Sequence, residues 1–373
     1  MNNNELFELF ETIIKDFNLK GDLIDIRMIS TGNINDTYVA RTAFHNGEKL
    51  YIIQRVNHNV FAYPERIAEN VCNVTNHIEQ KLRAENATDI RRRVLRYYRK
   101  SDGSYYHITP SGEYWRVLSC VYGAVSVNDA DVNYLRSAGI AFGEFQNYLS
   151  DFPADSLFVT IPDFHNTKKR YDDLRAAAKE DKAGRLHEVL GEYDYLISME
   201  EKACVLCELS EKGQLPARVV HNDTKCNNVM FDVETGEHLA VIDLDTVMPG
   251  LVAYDFGDAI RFAANPGGED NPDISKIYLD LEFYSAFSEG FVPSIAGKVT
   301  DLEVKTLPDG VLAITLELAA RFLTDYLNGD VYFKCKRPQH NLIRTRAQIA
   351  LAKDIDVKMP ELRSRLDGIT NSL

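Results

Sequence analysis

The chain has 373 residues, of which 45% are hydrophobic and 26% are charged, and its formal net charge is −14. This composition is typical of a globular protein large enough for two domains or one bilobal enzyme. The acidic balance argues against a nucleic-acid partner, because a phosphate backbone selects basic surfaces. No apolar run approaches the roughly 18 residues that span a bilayer, so no membrane partner is predicted. The N-terminal sequence lacks an export signal, and we expect a cytoplasmic protein whose six cysteines are reduced.

The character of the sequence changes along the chain. After an amphipathic helix at the N-terminus, residues 23–122 contain short β-rich runs that are interrupted by a helical segment at residues 64–85. Long helical patterns dominate afterwards, with one β-rich island at residues 218–247. We therefore predict a small sheet-rich lobe that binds nucleotide, residues 1–122, and a larger, mainly helical lobe for catalysis and substrate binding, residues 123–373.

The β-rich island and the turn after it contain the residues with chemical meaning, in the sequence RVVHNDTKCNNVMFDVETGEHLAVIDLDTVMPG. His221, Asp223 and Asn228 have the spacing of the H-x-D-x-x-x-x-N catalytic loop of kinases. A strand follows Asn228, a turn lies at residues 234–237, and a second strand ends at Asp243. This hairpin is predicted to bring Asn228 and Asp243 close together.

These residue types are the ones that phosphoryl transfer needs. Asp223 could orient an acceptor hydroxyl and take its proton, whereas the Asn228 amide and the Asp243 carboxylate are hard oxygen ligands for Mg²⁺. Lys225 would place positive charge near the transferred group, and His221 is predicted to orient the loop without acting as a base. Each residue could instead have only a structural role, as a loop cap or a strand-terminal acid.

A second acidic motif competes for the metal. The triplet Asp255-Phe256-Gly257 matches the metal-binding motif of protein kinases, but it lies 32 residues beyond the catalytic aspartate and not about 20. No clear strand leads into it, and a turn is predicted at residues 248–250. We therefore assign the metal to Asp243 and expect Asp255 to cap or brace the start of the following helix. The pattern leaves open whether Asp245 is a second metal contact or an acid behind the metal site.

The motifs HNDTKCNN, VIDLDTVMPG and DFGDAIRF resemble those of the family that contains aminoglycoside phosphotransferases and choline kinases. Six further segments, from TGNINDTY to HNLIRTR, are similar to the N-acetylhexosamine 1-kinases of that family, so the likeness covers nearly the whole chain. The resemblance implies an α+β, bilobal protein-kinase-like fold and ATP- and Mg²⁺-dependent phosphorylation of the anomeric hydroxyl of GlcNAc or GalNAc. It also implies that Asp223 is the catalytic base, Asp243 the principal Mg²⁺ ligand and Asn228 the second ligand.

The same resemblance predicts four substrate-binding residues. Arg116, Arg321 and Tyr332 would lie near the sugar, and Thr246 would lie on the substrate side of the metal loop. From the residues alone, Arg321 could instead pair with Asp325 at i+4 on one helix, and Tyr332 could pack in the core.

The nucleotide side departs from the usual kinase pattern in its phosphate-covering loop. Residues 30–35 contain a single glycine, Gly32, so backbone amides and side chains such as Asn33 would have to cradle the phosphates. The adenine is predicted to lie against residues 117–122, beginning with Val117.

The strand that usually carries an ATP-contacting lysine also differs. Gln54 occupies the expected position, or Arg55 does if the register shifts by one. A glutamine cannot neutralise phosphate charge, so Mg²⁺ and Lys225 would carry more of that task. This departure motivates an alternative, a pseudokinase or nucleotide-binding regulator, against which the intact catalytic-loop residues argue.

A nearer alternative is a kinase of the same fold that acts on another hydroxyl, such as that of another sugar, an amino alcohol, homoserine or an aminoglycoside. The sequence leaves open the choice between GlcNAc and GalNAc, the oligomeric state and the extent of lobe closure.

Overall fold

The computed structural model describes residues 2–29, 35–57, 63–128 and 130–373. The described residues form these α-helices: α1 (Asn3–Asp16), α2 (Pro64–Ala84), α3 (Ile90–Arg93), α4 (Val132–Tyr148), α5 (Thr167–Glu180), α6 (Leu190–Ser198), α7 (Glu200–Glu211), α8 (Val252–Ala263), α9 (Leu281–Ile295), α10 (Asp301–Lys305), α11 (Leu307–Leu327) and α12 (His340–Thr370). They also form these strands: β1 (Asp22–Ile29), β2 (Asp36–Phe44), β3 (Gly47–Val56), β4 (His107–Ile108), β5 (Tyr114–Ser119), β6 (Ala124–Ser126), β7 (Arg218–Val220), β8 (Val229–Asp232), β9 (His238–Val241) and β10 (Met248–Gly250).

The described residues divide into two compact units. The first unit comprises those in the ranges 1–124, 158–161 and 239–247, and the second comprises those in 125–157, 162–238 and 248–373. The division at residue 122 that the sequence suggests stays a prediction, because a compact unit need not be a domain that folds independently.

The first unit is built on a five-stranded antiparallel sheet with the strand order β1-β2-β3-β5-β4. Helix α1 begins with a capping box between Asn2 and Glu5, which satisfies two of its first backbone N–H groups. Its apolar face contributes Phe10 and Ile13, which are fully buried, to one core cluster with Trp115 of β5. The rings of Phe10 and Trp115 meet edge to face at a centroid distance of 5.5 Å. The amphipathic helix and the sheet-rich region predicted from the sequence are confirmed.

The second unit is mainly helical, and its helices α8 and α11 touch through glycines. A Cβ atom at Gly310 would lie 1.9 Å from the backbone oxygen of Ala253, and one at Gly257 would lie 2.3 Å from the backbone oxygen of Gly310. Phe256, which is fully buried, packs against three aromatic rings of α9, those of Tyr284, Phe287 and Phe291. The Asp255-Phe256-Gly257 triplet therefore lies inside a packed helix. The α+β class predicted from the sequence is confirmed.

Two short strands position the start of α8. The prediction of a turn at residues 248–250 is wrong, because these residues form β10, which pairs antiparallel with β7. Met248 lies opposite Val220, and Gly250 lies opposite Arg218. This pairing fixes the chain that enters α8 beside the chain that leads to His221.

Among the described helices, none has the length and apolar character that a bilayer crossing requires.

The close contact between α8 and α11 predicts that a side chain at Gly310 destabilises the protein, whereas one at an open glycine position does not. We expect Gly310→Ala to lower the free energy of unfolding by about 3 kcal/mol, because the added methyl group must displace the backbone of α8. Gly368→Ala is the matched control, since a Cβ atom there meets nothing within 4 Å, and it should stabilise the protein by up to about 1 kcal/mol. Urea unfolding followed by far-ultraviolet circular dichroism measures both. Equal stability of the two variants would contradict the packing of α8 on α11.

Candidate active site

The loop after β7 carries the predicted catalytic residues. His221 is fully buried, and its ring contacts Phe142 and Phe145 edge to face, at centroid distances of 5.6 and 6.0 Å. Its Nδ1 atom accepts a hydrogen bond of 3.2 Å from the backbone N–H of Asp223. His221 thus holds the backbone of the residue predicted to be the catalytic base. This is the orienting position that the sequence predicts for it.

Three of the predicted residues meet at this loop. Lys225 Nζ lies 2.5 Å from Asp223 Oδ1, and Asn228 Nδ2 donates to the backbone oxygen of Asp223 (2.8 Å) and to Asp223 Oδ2 (3.2 Å). Burial by itself lowers the pKa of Lys225, but the carboxylates of Asp223 and Asp258 raise it above its usual value. A lysine cation, a carboxylate and an oriented amide are therefore available at one place.

The first support of this loop is Asp255 on α8. Its carboxylate, which is 2% exposed, accepts hydrogen bonds from the backbone N–H groups of His221 (2.8 Å) and Asn222 (2.7 Å) and from Gln146 Nε2 (2.8 Å). Burial raises the pKa of the Asp255 carboxyl, although these hydrogen bonds oppose that effect. The cap position of α8 is Leu251, without a side-chain hydrogen bond. Asp255 therefore braces the catalytic loop and does not cap its own helix.

The second support is Asp258, one turn further along α8, to which the sequence analysis assigned no role. Asp258 Oδ2 accepts a hydrogen bond of 3.1 Å from the backbone N–H of Thr224, and Oδ1 pairs with Arg261. Burial by itself raises the pKa of Asp258, but the Arg261 guanidinium and then Lys225 lower it below its usual value. The available signal was a pair of acids at i and i+3 on a mostly apolar helix, which places both on one face.

The predicted metal ligand Asp243 belongs to the first unit. It follows β9, its side chain is exposed, and its backbone is left-handed, with φ 59° and ψ 51°. This conformation is uncommon for a residue other than glycine, and it redirects the chain into the tight turn Leu244–Thr246. The closeness of Asn228 and Asp243 stays a prediction.

The next acid, Asp245, is the centre of a buried polar network in the same unit. Arg116 and Asp245 are 2% and 3% exposed, and two Arg116 nitrogens donate to the two Asp245 oxygens at 2.7 and 2.9 Å. Asn35 Nδ2 donates to Asp245 Oδ2 (2.9 Å), and the Tyr97 hydroxyl donates to Oδ1 (3.2 Å). Gln54 Oε1 accepts from Nε and Nη2 of Arg116, at 2.9 and 2.7 Å.

Strand register explains why Gln54 meets Arg116. The two residues lie directly opposite each other on β3 and β5, so their side chains share one face of the sheet. Thr37 of β2 lies opposite Gln54 on the other side and accepts a hydrogen bond of 3.0 Å from Gln54 Nε2. Arg55 instead forms ion pairs with Asp36 and with Glu113.

Three further residues are predicted to bind the nucleotide, namely Gly32, Asn33 and Val117, and Thr246 is predicted to lie on the substrate side. Val117 is fully buried in the sheet core, and its backbone oxygen accepts from the Tyr98 N–H (2.9 Å). Thr246 is buried in the turn after Asp243. Gly32 and Asn33 lie outside the described residues. The binding roles of all four residues stay predictions.

The predicted acceptor residues Arg321 and Tyr332 belong to the second unit. The alternative that Tyr332 packs in the core is wrong, because this residue is 71% exposed. The backbone N–H groups of Val331, Tyr332 and Phe333 donate to the buried Asp325 carboxylate at 2.8 to 2.9 Å. Asp325 therefore holds the segment that carries Tyr332, and it is not the i+4 ion-pair partner of Arg321.

Arg321 instead lies in an aromatic and basic surrounding. Its guanidinium carbon is 5.5 Å from the ring centroid of Phe333 and 6.0 Å from that of Phe164. Burial, and after it the charge of Arg321, lowers the pKa of Arg170 below its usual value. Arg170 Nη2 donates to the backbone oxygen of Phe164 (3.2 Å), so both arginines lie beside the same residue. In the described part of the chain, neither arginine has a carboxylate within ion-pair distance. The nearby Glu317 binds His165 (3.1 Å) and Thr167.

The support of the catalytic loop yields a stability prediction. Asp255→Ala should lower the free energy of unfolding by about 3 kcal/mol, because two backbone N–H groups and the Gln146 amide lose their acceptor in a buried place. Asp194→Ala on the exposed face of α6 is the control and should change stability by less than about 0.5 kcal/mol. Chemical unfolding of both variants is the measurement. A stable Asp255→Ala variant would mean that the loop is held by other contacts.

Several solved structures have a fold similar to that of this chain. Among solved structures, the chain is similar to a microcompartment-associated aminopropanol kinase, with 16% identity, a TM-score of 0.64 and coverage of 96% of this chain and 99% of that chain. It is similar to an ethanolamine kinase of Plasmodium vivax, with 14% identity, a TM-score of 0.60 and coverage of 98% and 91%. It is also similar to a spectinomycin phosphotransferase in complex with ADP and spectinomycin, with 13% identity, a TM-score of 0.54 and coverage of 95% and 99%.

At these identities the likeness concerns the fold alone, and it confirms the kinase-like fold that the sequence motifs imply. The sequence comparison goes further. The family model described as the phosphotransferase enzyme family (APH) matches residues 77–287, more than half of the chain and a range that includes the whole catalytic loop. The chain belongs to the phosphotransferase enzyme family.

Proposed function

We propose that this phosphotransferase uses ATP and Mg²⁺ to phosphorylate the anomeric hydroxyl of an N-acetylhexosamine, GlcNAc or GalNAc, and releases ADP. The observation that carries the phosphoryl-transfer assignment is the group formed by Asp223, Lys225 and Asn228, with contacts of 2.5 to 3.2 Å. The sugar assignment is supported by the resemblance of segments throughout the chain to N-acetylhexosamine 1-kinases.

The chemistry follows from the positions of these side chains. Asp223 accepts the proton of the attacking hydroxyl while a new bond forms between that oxygen and the γ-phosphorus. The bond from the γ-phosphorus to the bridging oxygen breaks, and ADP leaves with the electron pair. An anomeric hydroxyl is more acidic than an ordinary alcohol, so alignment by Asp223 contributes more than its basicity. Lys225 stabilises negative charge on the transferred group.

The residues present fit a magnesium ion. Asp243 is exposed, and Asn228 donates to Asp223 through Nδ2, so its amide oxygen takes no part in those two hydrogen bonds. Carboxylate and amide oxygens are hard ligands of the kind that Mg²⁺ prefers. Asp243 and Asn228 would hold the ion, which would neutralise part of the negative charge of the nucleotide phosphates.

The charge around Arg321 favours a neutral acceptor. The aminopropanol and ethanolamine kinases named above are named for amino alcohols, which are cationic near neutral pH. Arg321 and Arg170 both lie beside Phe164, and in the described part of the chain neither has a carboxylate within ion-pair distance, so an ammonium group at this place would be repelled. A sugar with an acetamido carbonyl instead offers hydrogen-bond acceptors to these guanidinium groups and an apolar face to Tyr332.

A panel of acceptors tests this proposal. ADP release from MgATP should be stimulated by GlcNAc or GalNAc and not by ethanolamine, choline, homoserine or an aminoglycoside, and phosphorus NMR should place the phosphate on C1. Turnover with an amino alcohol would support the alternative kinase of the same fold. Absence of stimulated release with any acceptor would support a nucleotide-binding regulator.

The catalytic carboxylate is tested by a single substitution. Asp223→Asn should lower kcat by at least about 100-fold, because the amide cannot take the proton of the acceptor, while MgATP binding stays within about threefold. Glu234→Gln in the exposed hairpin turn removes an equivalent charge and should leave kcat unchanged. Turnover near that of the unmodified protein in Asp223→Asn would remove this residue from its proposed role.

A further inference from the structure

The strand position that usually carries an ATP-contacting lysine is occupied here by a residue with a different task. Gln54 Oε1 accepts two hydrogen bonds from Arg116, and Gln54 Nε2 donates to Thr37. A lysine has three donors and no acceptor, so it could not accept from Arg116. It would also place a second cation beside a guanidinium that is 2% exposed. Gln54 and Arg116 therefore fit each other as a pair.

Arg116 also binds the turn that follows Asp243. Both oxygens of Asp245 are bound by Arg116, and Asp245 is the second residue of the tight turn Leu244–Thr246. The turn begins with the left-handed backbone of Asp243, which needs support from its surroundings. The buried ion pair joins this turn to strand β5 of the sheet through charge-assisted hydrogen bonds.

The network also reaches the predicted phosphate-covering loop. Asn35 is the last residue of that loop and donates to Asp245 Oδ2 (2.9 Å), while its own amide oxygen accepts from the backbone N–H of Asn57 (3.0 Å). The Tyr97 hydroxyl completes the set of donors to Asp245. One buried carboxylate thus joins the ends of β2 and β3, strand β5 and the turn of the predicted metal ligand.

We propose that Arg116 is a positioning residue, which supplies from β5 the buried positive charge that fixes the Asp243 turn through Asp245, with Gln54 as its matched acceptor on β3. This inference rests on the proposed function, since it takes Asp243 as the metal ligand. It gives Arg116 a task on the nucleotide side, whereas the family resemblance places this residue near the sugar. It also answers the open question about Asp245, which acts behind the metal site and not as a metal contact.

The test is Mg²⁺-dependent binding of ADP to the full-length protein, measured by calorimetry without any acceptor. Arg116→Gln and Gln54→Lys should each weaken MgADP binding by about tenfold or more, as expected when a residue that orients a metal ligand is changed. The double variant Gln54→Lys/Arg116→Gln moves the cation from β5 to β3 and keeps one amide. It should bind within about threefold of the unmodified protein, so the two effects are not additive.

Three further proteins complete the experiment. Arg41→Gln removes an arginine from the neighbouring strand β2, where its ion pairs with Asp25 and Glu48 are partly exposed, and it should not change binding. Asp243→Ala removes the proposed Mg²⁺ ligand, and it therefore gives the affinity for ADP that remains without a contribution from Mg²⁺. Arg116→Lys keeps the charge but loses the forked contacts. If Arg116→Gln does not fold, weakened MgADP binding by a folded Arg116→Lys variant supports the proposal, and unchanged binding overturns it.

Two results would overturn the proposal outright. One is a double variant whose affinity for MgADP is reduced by the product of the two factors measured for the single variants. The other is an Arg116→Gln variant that binds MgADP normally and shows only a raised KM for the acceptor, which is the result expected of a sugar contact. Because the assay contains no acceptor, a wrong sugar assignment does not affect it, and that failure is seen only in the acceptor panel.

Discussion

The loop that carries Asp223 lies outside the regular hydrogen bonding of helices and sheets, and buried carboxylates accept hydrogen bonds from its backbone N–H groups. The backbone N–H groups of His221 and Asn222 are bound by Asp255, and that of Thr224 is bound by Asp258. Both acids project from α8, whose backbone is pressed against α11 at a glycine contact. The position of Asp223 therefore depends on the packing of two helices that carry no proposed catalytic group, because unsatisfied backbone groups in the interior would be too costly.

In the first unit, a buried carboxylate and a buried guanidinium stabilise a turn of the chain. Burying Asp245 would be unfavourable unless its charge were paired and its oxygens bonded, and Arg116, Asn35 and Tyr97 provide both. The cation sits on β5, and the facing residue of β3 is an acceptor. Gln54, which stands where kinases usually carry a lysine, accepts two hydrogen bonds from this arginine. In the described part of the second unit, Arg170 and Arg321 have no carboxylate within ion-pair distance.

The local patterns of the sequence predicted most of the elements that position the site. Alternating apolar residues identified β1, β2, β3 and β5, and the 3.6-residue period identified α2, α4 and α11. The turn predicted at residues 248–250 was wrong because a three-residue strand has no period of its own and exists only through its pairing with β7. The two structural alternatives for Arg321 and Tyr332 were also wrong, since Asp325 binds a backbone segment six to eight residues away and leaves Tyr332 exposed.

By itself, the sequence determined the kinase-like organisation and the spacing of His221, Asp223 and Asn228, because these depend on residue type and on separation along the chain. The assignment of the metal to Asp243 and not to Asp255 stays a prediction. Only the tertiary structure decided what Asp245, Asp255 and Asp258 bind. Their partners lie up to 210 residues away for Asp245 and 33 to 34 residues away for the catalytic loop, so no local pattern encodes them. The physical reason is that a buried charge takes its role from the donors that packing brings to it, and packing joins segments that are distant in sequence.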